Sequence, residues 1–199
     1  MAAGGILEVV SLGPGDAALL TPQCRAALAA ADLVVGYRLY LDLVPPELLA
    51  GKELLSTGMT GEMERAGAAL DAARAGRRVA VVSSGDAGVY AMAGLVLELA
   101  AERGLLEALD IRVLPGVPAL AAAAALLGAP LTHDFACVSL SDLMTPWEAI
   151  ERRLEAAAGA DFVLVVYNPR SHKRDWQLPR ALEIVARRRG PDTPVGLVR

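Results

Sequence analysis

Arg78-Val79-Ala80-Val81-Val82-Ser83-Ser84-Gly85-Asp86-Ala87-Gly88-Val89-Tyr90 is the stretch on which the fold turns. Its first half, Arg78–Ser84, is a short apolar run closed by small polar residues. Such a run suits a strand covered on both faces, as in a parallel sheet. Its second half sets an acid between two glycines. In open α/β sheets, ligands bind beyond the carboxyl ends of strands, where loops of this kind sit. A carboxylate left unpaired there is costly. Asp86 therefore either caps the following helix or receives a ligand's amine or hydroxyls.

The same alternation extends both ways. Upstream, Ile6–Leu12, Asp32–Gly36 and Lys52–Ser56 read as strands. Thr21 and Pro22 open a helix to about Ala31, with threonine at the cap and proline in first place. Glu62–Ala75 is an amphipathic helix closed by Gly76. Downstream come a helix over 89–102, a strand at Ile111–Leu114 and an alanine-rich helix to about Leu127. Strands at Phe135–Leu140, Phe162–Val166 and Pro194–Val198 alternate with helices from Thr145 to Gly159 and over Gln177–Arg189. Thr145-Pro146-Trp147-Glu148 carries the signature of a capping box. Pro115-Gly116-Val117-Pro118 breaks regular structure and is expected as the hinge between two α/β domains, 1–115 and 116–199. The final apolar strand has nothing to cover it, so the second domain is expected to be incomplete at its C-terminus. There is no internal repeat.

Composition narrows the function. The chain has 199 residues, 54% apolar and 21% charged, enough for a core without disulfides or metals. A net charge of −4 and only eight aromatic residues speak against nucleic-acid binding. Cys24 and Cys137 have no CxxC spacing and suit a reducing cytosol, so a cytoplasmic protein is expected. No residues have metal-ligand spacing. The uncharged run 113–131 is broken by prolines and glycines, which favours a loop–helix–loop over a membrane span. The N-terminus has no basic segment, and Glu8 interrupts its apolar run, unlike a signal peptide.

Four strand-end loops are rich in small residues: Ser11–Asp16, Ser83–Tyr90, Pro115–Ala119 and Tyr167–Arg170. Glycine lets a backbone approach a ligand closely. Gly13-x-Gly15-x-x-Ala18 resembles a dinucleotide fingerprint only loosely. Pro14 lacks an N–H, the helix begins late, and no acid follows the second strand. A nicotinamide-dependent oxidoreductase is nonetheless the competing enzyme class, and a non-catalytic binding domain a third reading. No Ser/His/Asp or Cys/His arrangement is evident.

These loops resemble those of the tetrapyrrole methylase family, which share a GxGPGD-like first loop, an SSGDPG-like second loop and a PGV-like third. Gly36–Tyr40, Ser83–Leu97, Ser139–Trp147 and Tyr167–Ser171 extend the likeness over nearly the whole chain. They place it nearest the branch that methylates precorrin-3B, or its cobalt-containing counterpart cobalt-factor III, at ring carbon C(17) with ring contraction. Ala87 stands where the family usually has proline. The resemblance implies two α/β domains, a homodimer, and S-adenosylmethionine bound in a cleft. It assigns cofactor binding to Pro14, Gly85, Asp86, Val89, Gly116, Val117 and Tyr167. Any cobalt would arrive inside the substrate. Another ring position remains an alternative.

Ring contraction needs proton transfers, for which Ser84, Tyr90 and Ser141 are candidates. Tetrapyrrole precursors carry carboxylates, so Arg38, Arg170, Lys173 and Arg174 are candidate substrate ligands, beside His172. His133 reads as a loop histidine, Met92 as core, and Trp147 and Trp176 as packing residues. Arg187–Arg189 is expected to face the dipole in the last turn of its helix.

Overall fold

The computed structural model describes residues 5–58, 61–171 and 174–198. The chain divides into two compact units, residues 1–122 and 123–199, the division falling within the alanine-rich helix.

The first unit is built on five parallel strands: β1 (Ile6–Ser11), β2 (Leu33–Tyr37), β3 (Glu53–Thr57), β4 (Arg78–Ser83) and β5 (Asp110–Leu114). Their order is β3-β2-β4-β1-β5. Val9 pairs with Val81 and Val113, and Val35 with Leu55 and Val81, so the centre of the sheet is aliphatic. Helices cover both faces. On one side α4 (Glu62–Arg74) and α5 (Met92–Glu102) bury Ala66, Leu70, Val96 and Leu99 against Leu7, Val9, Val79 and Val81. On the other, α1 (Pro22–Ala30), α2 (Arg38–Leu41) and α3 (Pro46–Leu49) bury Leu28, Leu41 and Leu48 against Val10, Val34, Ala80 and Val82. Alternate residues of one strand thus feed two cores, which is why these strands read as continuous apolar runs.

Helix ends are set locally. The Thr21 hydroxyl accepts the Cys24 N–H at 3.2 Å, and Pro22 follows as expected. Lys52 Nζ donates to the carbonyls of Ala29 and Ala31 at 2.8 and 2.6 Å, placing a cation at the negative end of α1. The short helices α2 and α3 were not foreseen. Arg112 ion-pairs with Asp110 and with buried Glu8, and its pKa is raised, chiefly by its hydrogen bond to Asp110.

The second unit contains α6 (Ala119–Leu126) in part, then β6 (Phe135–Ser139) and β7 (Val163–Tyr167), a parallel pair. The helices α7 (Trp147–Gly159) and α8 (Gln177–Ala186) bury Ile150, Leu154, Ala181 and Ile184 against Val138 and Leu140. Trp147 and Trp176 pack edge to face, centroids 4.8 Å apart. Glu151 accepts hydrogen bonds from Arg180 and Trp147, in that order of effect, and its pKa is lowered; Arg180 is raised in return.

Several boundaries differ from expectation. Helix α5 begins at Met92 rather than at 89, because Tyr90 has φ 51° and Ala91 is extended. Thr145 does not cap α7. Pro146 occupies the cap with extended ψ, its carbonyl takes the first bonds, and no side chain caps. Helix α8 stops at Ala186, so Arg187–Arg189 lie past its last turn. There Arg187 pairs with Glu155, while Arg189 pairs with Asp161 and donates to the Phe162 carbonyl. Residues 194–198 form no strand: no ladder partner pairs with them, and Val195 and Leu197 stay exposed. Among the described residues no helix is long and apolar enough to cross a membrane.

Candidate functional site

The first unit's topology marks its own ligand position. Neighbouring strands β1 and β4 send their chains to opposite faces, β1 to α1 and β4 to α5. That is a topological switch point, where open α/β sheets bind ligands beyond the strand ends. The loops leaving β1 and β4 are the first two glycine-rich loops, and the third leaves β5 on the other side of β1.

Three sets of bonds tie these loops together. Gly13 N–H donates to Gly85 O at 3.0 Å, and Gly85 N–H returns the bond to Gly13 O at 2.7 Å. Both glycines have positive φ, 74° and 65°, a conformation that side chains resist. Asp86 spreads its carboxylate over two loops: Oδ1 accepts from Gly88 N at 2.8 Å, Oδ2 from Gly116 N at 2.9 Å. Ser11 Oγ donates to Leu114 O at 2.6 Å and accepts from Ala87 N at 2.8 Å. Gly116 is packed so tightly that a Cβ there would stand 2.4 Å from Ser11 Cβ and 2.8 Å from Gly85 O.

Six of the seven expected cofactor residues therefore belong to one bonded platform. Gly85 is buried, Asp86, Val89, Gly116 and Val117 are half-buried, and Pro14 is exposed at a loop tip. Asp86 organises the loops and does not cap the following helix, since α5 starts after Ala91 with no side-chain cap. Each carboxylate oxygen keeps acceptor capacity after its one backbone bond. The seventh residue, Tyr167, ends β7 in the second unit, half-buried. Ser84 is half-buried next to Gly85, and Tyr90 is exposed with its strained backbone. The platform does not form the dinucleotide motif. Asp16 caps only the short 3-10 turn Ala17–Leu19, α1 starts at Pro22, and β2 ends at Tyr37 without an acid.

In the second unit the loops after β6 and β7 are joined by polar side chains. Ser139 Oγ accepts from Ser141 N at 3.2 Å and from Asn168 Nδ2 at 2.9 Å. Arg174 donates to Leu140 O at 3.1 Å and Asn168 O at 3.0 Å, and lies 3.9 Å from Asp142. The guanidinium of Arg174, expected as a substrate ligand, fastens two loops through Nη1 and is mostly buried. Arg38 and Arg170 are exposed, and Ser141 is half-buried. His172 and Lys173 lie outside the described residues. His133 is an exposed loop residue and Met92 is core.

Ser11, Ser139, Asn168 and Gln177 were missed as organising residues. Ser11 alone left a signal, a lone hydroxyl at the end of an apolar strand. Gln177 is buried in α8 and donates to Asp142 Oδ2 at 3.1 Å, a pairing across 35 positions that no local pattern announces.

Residues 7–199 match the family described as Tetrapyrrole (Corrin/Porphyrin) Methylases. A Salmonella typhimurium protein named probable cobalt-factor III C(17)-methyltransferase is 50% identical over 194 residues, covering 98% of this chain and 79% of that one. Precorrin-3B C(17)-methyltransferase from Sinorhizobium sp is 45% identical over 183 residues, 91% of this chain and 71% of its own. The crystal structure of the methyltransferase CobJ superposes with a TM-score of 0.89 at 45% identity, over 94% of this chain and 77% of that one. Uroporphyrin-III C-methyl transferase from Thermus thermophilus, complexed with S-adenyl homocysteine, gives 0.66 at 28% identity, over 90% and 77%.

Proposed function

The chain belongs to the tetrapyrrole methylases, and on that premise we propose that it is an S-adenosylmethionine-dependent C-methyltransferase of cobalamin biosynthesis. It methylates precorrin-3B or cobalt-factor III at ring carbon C(17), with ring contraction. The observation that carries this reading is the bonded platform of three loops at the switch point of β1 and β4, on a chain 50% identical to a relative named for that reaction.

The platform fits the cofactor. Gly13 and Gly85 let the first two loops close on each other, which brings backbone groups of three loops to the switch point where an adenosyl group would lie. Asp86 and Ser84 offer polar contacts beside it, and Val89 and Val117 offer apolar ones. Tyr167 completes the assigned set. When bound, S-adenosylmethionine supplies an electrophilic methyl on a sulfonium, which an electron-rich ring carbon takes without strong activation. The residues of this chain therefore act mainly by orientation, which supplies up to ~7–11 kcal/mol of a barrier. The hydroxyls of Ser84, Tyr90 and Ser141 are the set from which ring contraction draws its proton transfers. Arg38 and Arg170 receive substrate carboxylates, together with Lys173. Arg174 holds the loop that presents Arg170.

The deciding experiment incubates the protein with methyl-labelled S-adenosylmethionine and either precorrin-3B or cobalt-factor III. Label is expected in a ring-contracted product, and the accepted form identifies the route served. Label in a product methylated elsewhere on the ring, or tight NAD binding without response to S-adenosylmethionine, overturns the assignment. The protein is further proposed to be a cytoplasmic homodimer, in keeping with a sequence that holds two widely separated cysteines and a mean hydropathy of +0.42. Sedimentation as a monomer across micromolar concentrations refutes the dimer.

A further inference from the structure

We propose that Ser11 is a positioning residue for methyl transfer, its hydroxyl clamping the Ala87 peptide and so setting the loop that carries Gly85 and Asp86. The proposal rests on the reading of that loop as part of the cofactor site. Ser11 and Ala87 are both fully buried. The hydroxyl works in both directions, accepting from Ala87 N–H at 2.8 Å and donating to Leu114 O at 2.6 Å. It thus joins the ends of β1 and β5 and the loop after β4 through a single oxygen.

The bonds close into a circuit. Ala87 O accepts from Ala93 N–H at 3.0 Å, so the peptides on both sides of Ala87 are held, one by Ser11 and one by α5. Asp86, the preceding residue, holds Gly116 N–H, two residues beyond Leu114. Without the hydroxyl, the Ala87 N–H is left buried and unpaired, and the loop can regain a partner only by moving. That movement carries Asp86 with it. Ser11 itself offers nothing to a ligand, because it is fully buried. No larger side chain serves instead, since Gly116 leaves no space beside Ser11 Cβ.

Ala87 supplies the control. Proline has no N–H, and the family resemblance expects proline at this position. In an Ala87→Pro background the donor that Ser11 satisfies no longer exists, so the hydroxyl matters less. The test is a double-mutant cycle on the wild type, Ser11→Ala, Ala87→Pro and the double variant. Three quantities are measured: S-adenosylhomocysteine affinity by calorimetry, KM for each substrate, and amide exchange at Ala87 where that amide exists. Ser11→Ala is expected to raise the S-adenosylhomocysteine Kd and the S-adenosylmethionine KM about tenfold. It should leave the tetrapyrrole KM within about twofold and speed Ala87 exchange about tenfold or more. In the Ala87→Pro background the same change should cost less than about threefold.

A folded Ser11→Ala protein with unchanged affinity overturns the proposal, as does an equal cost in both backgrounds. If Ser11→Ala does not fold, the double variant is expected to fold, and its failure also overturns it. A wild type that binds no S-adenosylhomocysteine refutes the cofactor reading instead. Unchanged Ala87 exchange in Ser11→Ala would then still refute the clamp.

Discussion

Asp86 and Gly116 form the joint between the second and third loops, and each can be tested singly. Asp86→Asn keeps an oxygen for Gly88 N–H but turns an amide nitrogen toward Gly116 N–H, donor against donor. The variant should fold and bind S-adenosylmethionine about tenfold or more weakly, the loss of a charge-assisted bond. Calorimetry showing unchanged affinity would reduce Asp86 to a turn residue. Gly116→Ala places a methyl against Ser11 Cβ and Gly85 O, both under 3 Å. Backbone must move, and overpacking of this kind costs about 1–3 kcal/mol. Thermal unfolding should show it; an unchanged Tm would mean the third loop is softer than its packing suggests.

Helix starts make a matched comparison at the element scale. Thr21 makes its cap bond in α1, whereas Thr145 makes none in α7. Thr21→Ala should therefore destabilise by about 1 kcal/mol, and Thr145→Ala by less than about 0.5 kcal/mol. Denaturant titration of both variants checks this, and equal losses would restore the capping box. Between α7 and α8, Glu151 joins Arg180 and Trp147. Its folded pKa lies below the ordinary value, first through Arg180. The stabilisation it provides is therefore present above the ordinary carboxylate range and is lost as pH falls through the depressed folded value. Glu151→Gln should flatten that acid limb of the stability curve. An identical acid limb in the variant would show that the pair contributes nothing in solution.

At the scale of the whole molecule, the two units carry different expectations. Cofactor affinity is assigned mainly to the loops of residues 1–122, and substrate carboxylates to Arg170 after β7. Arg170→Ala should raise the tetrapyrrole KM and weaken its salt dependence, leaving Tm and S-adenosylmethionine affinity unchanged. Arg174→Ala should instead lower Tm, because it unfastens Leu140 and Asn168. If Arg170→Ala weakens both ligands equally, the loop supports the fold rather than the substrate.

The sequence by itself determined the alternation of strands and helices, the cap at Thr21 and the glycine-rich loops of the candidate site. Each of these is local: a run of valines has the same meaning wherever it sits, and a threonine before a proline caps its own helix. The strand-end loops that meet at the switch point were legible for the same reason, since close backbone approach demands small residues in any context, whereas the individual cofactor positions were implied by the family resemblance alone. Tertiary structure alone decided what depends on partners distant in the chain. It placed β4 between β1 and β2, which creates the switch point. It joined Ser11 to Leu114 across 103 positions and Asp86 to Gly116 across 30. It turned Arg174 inward to carbonyls that only folding brings within reach. It also left residues 194–198 without a ladder, because a strand is defined by its neighbour's hydrogen bonds and not by its own valines.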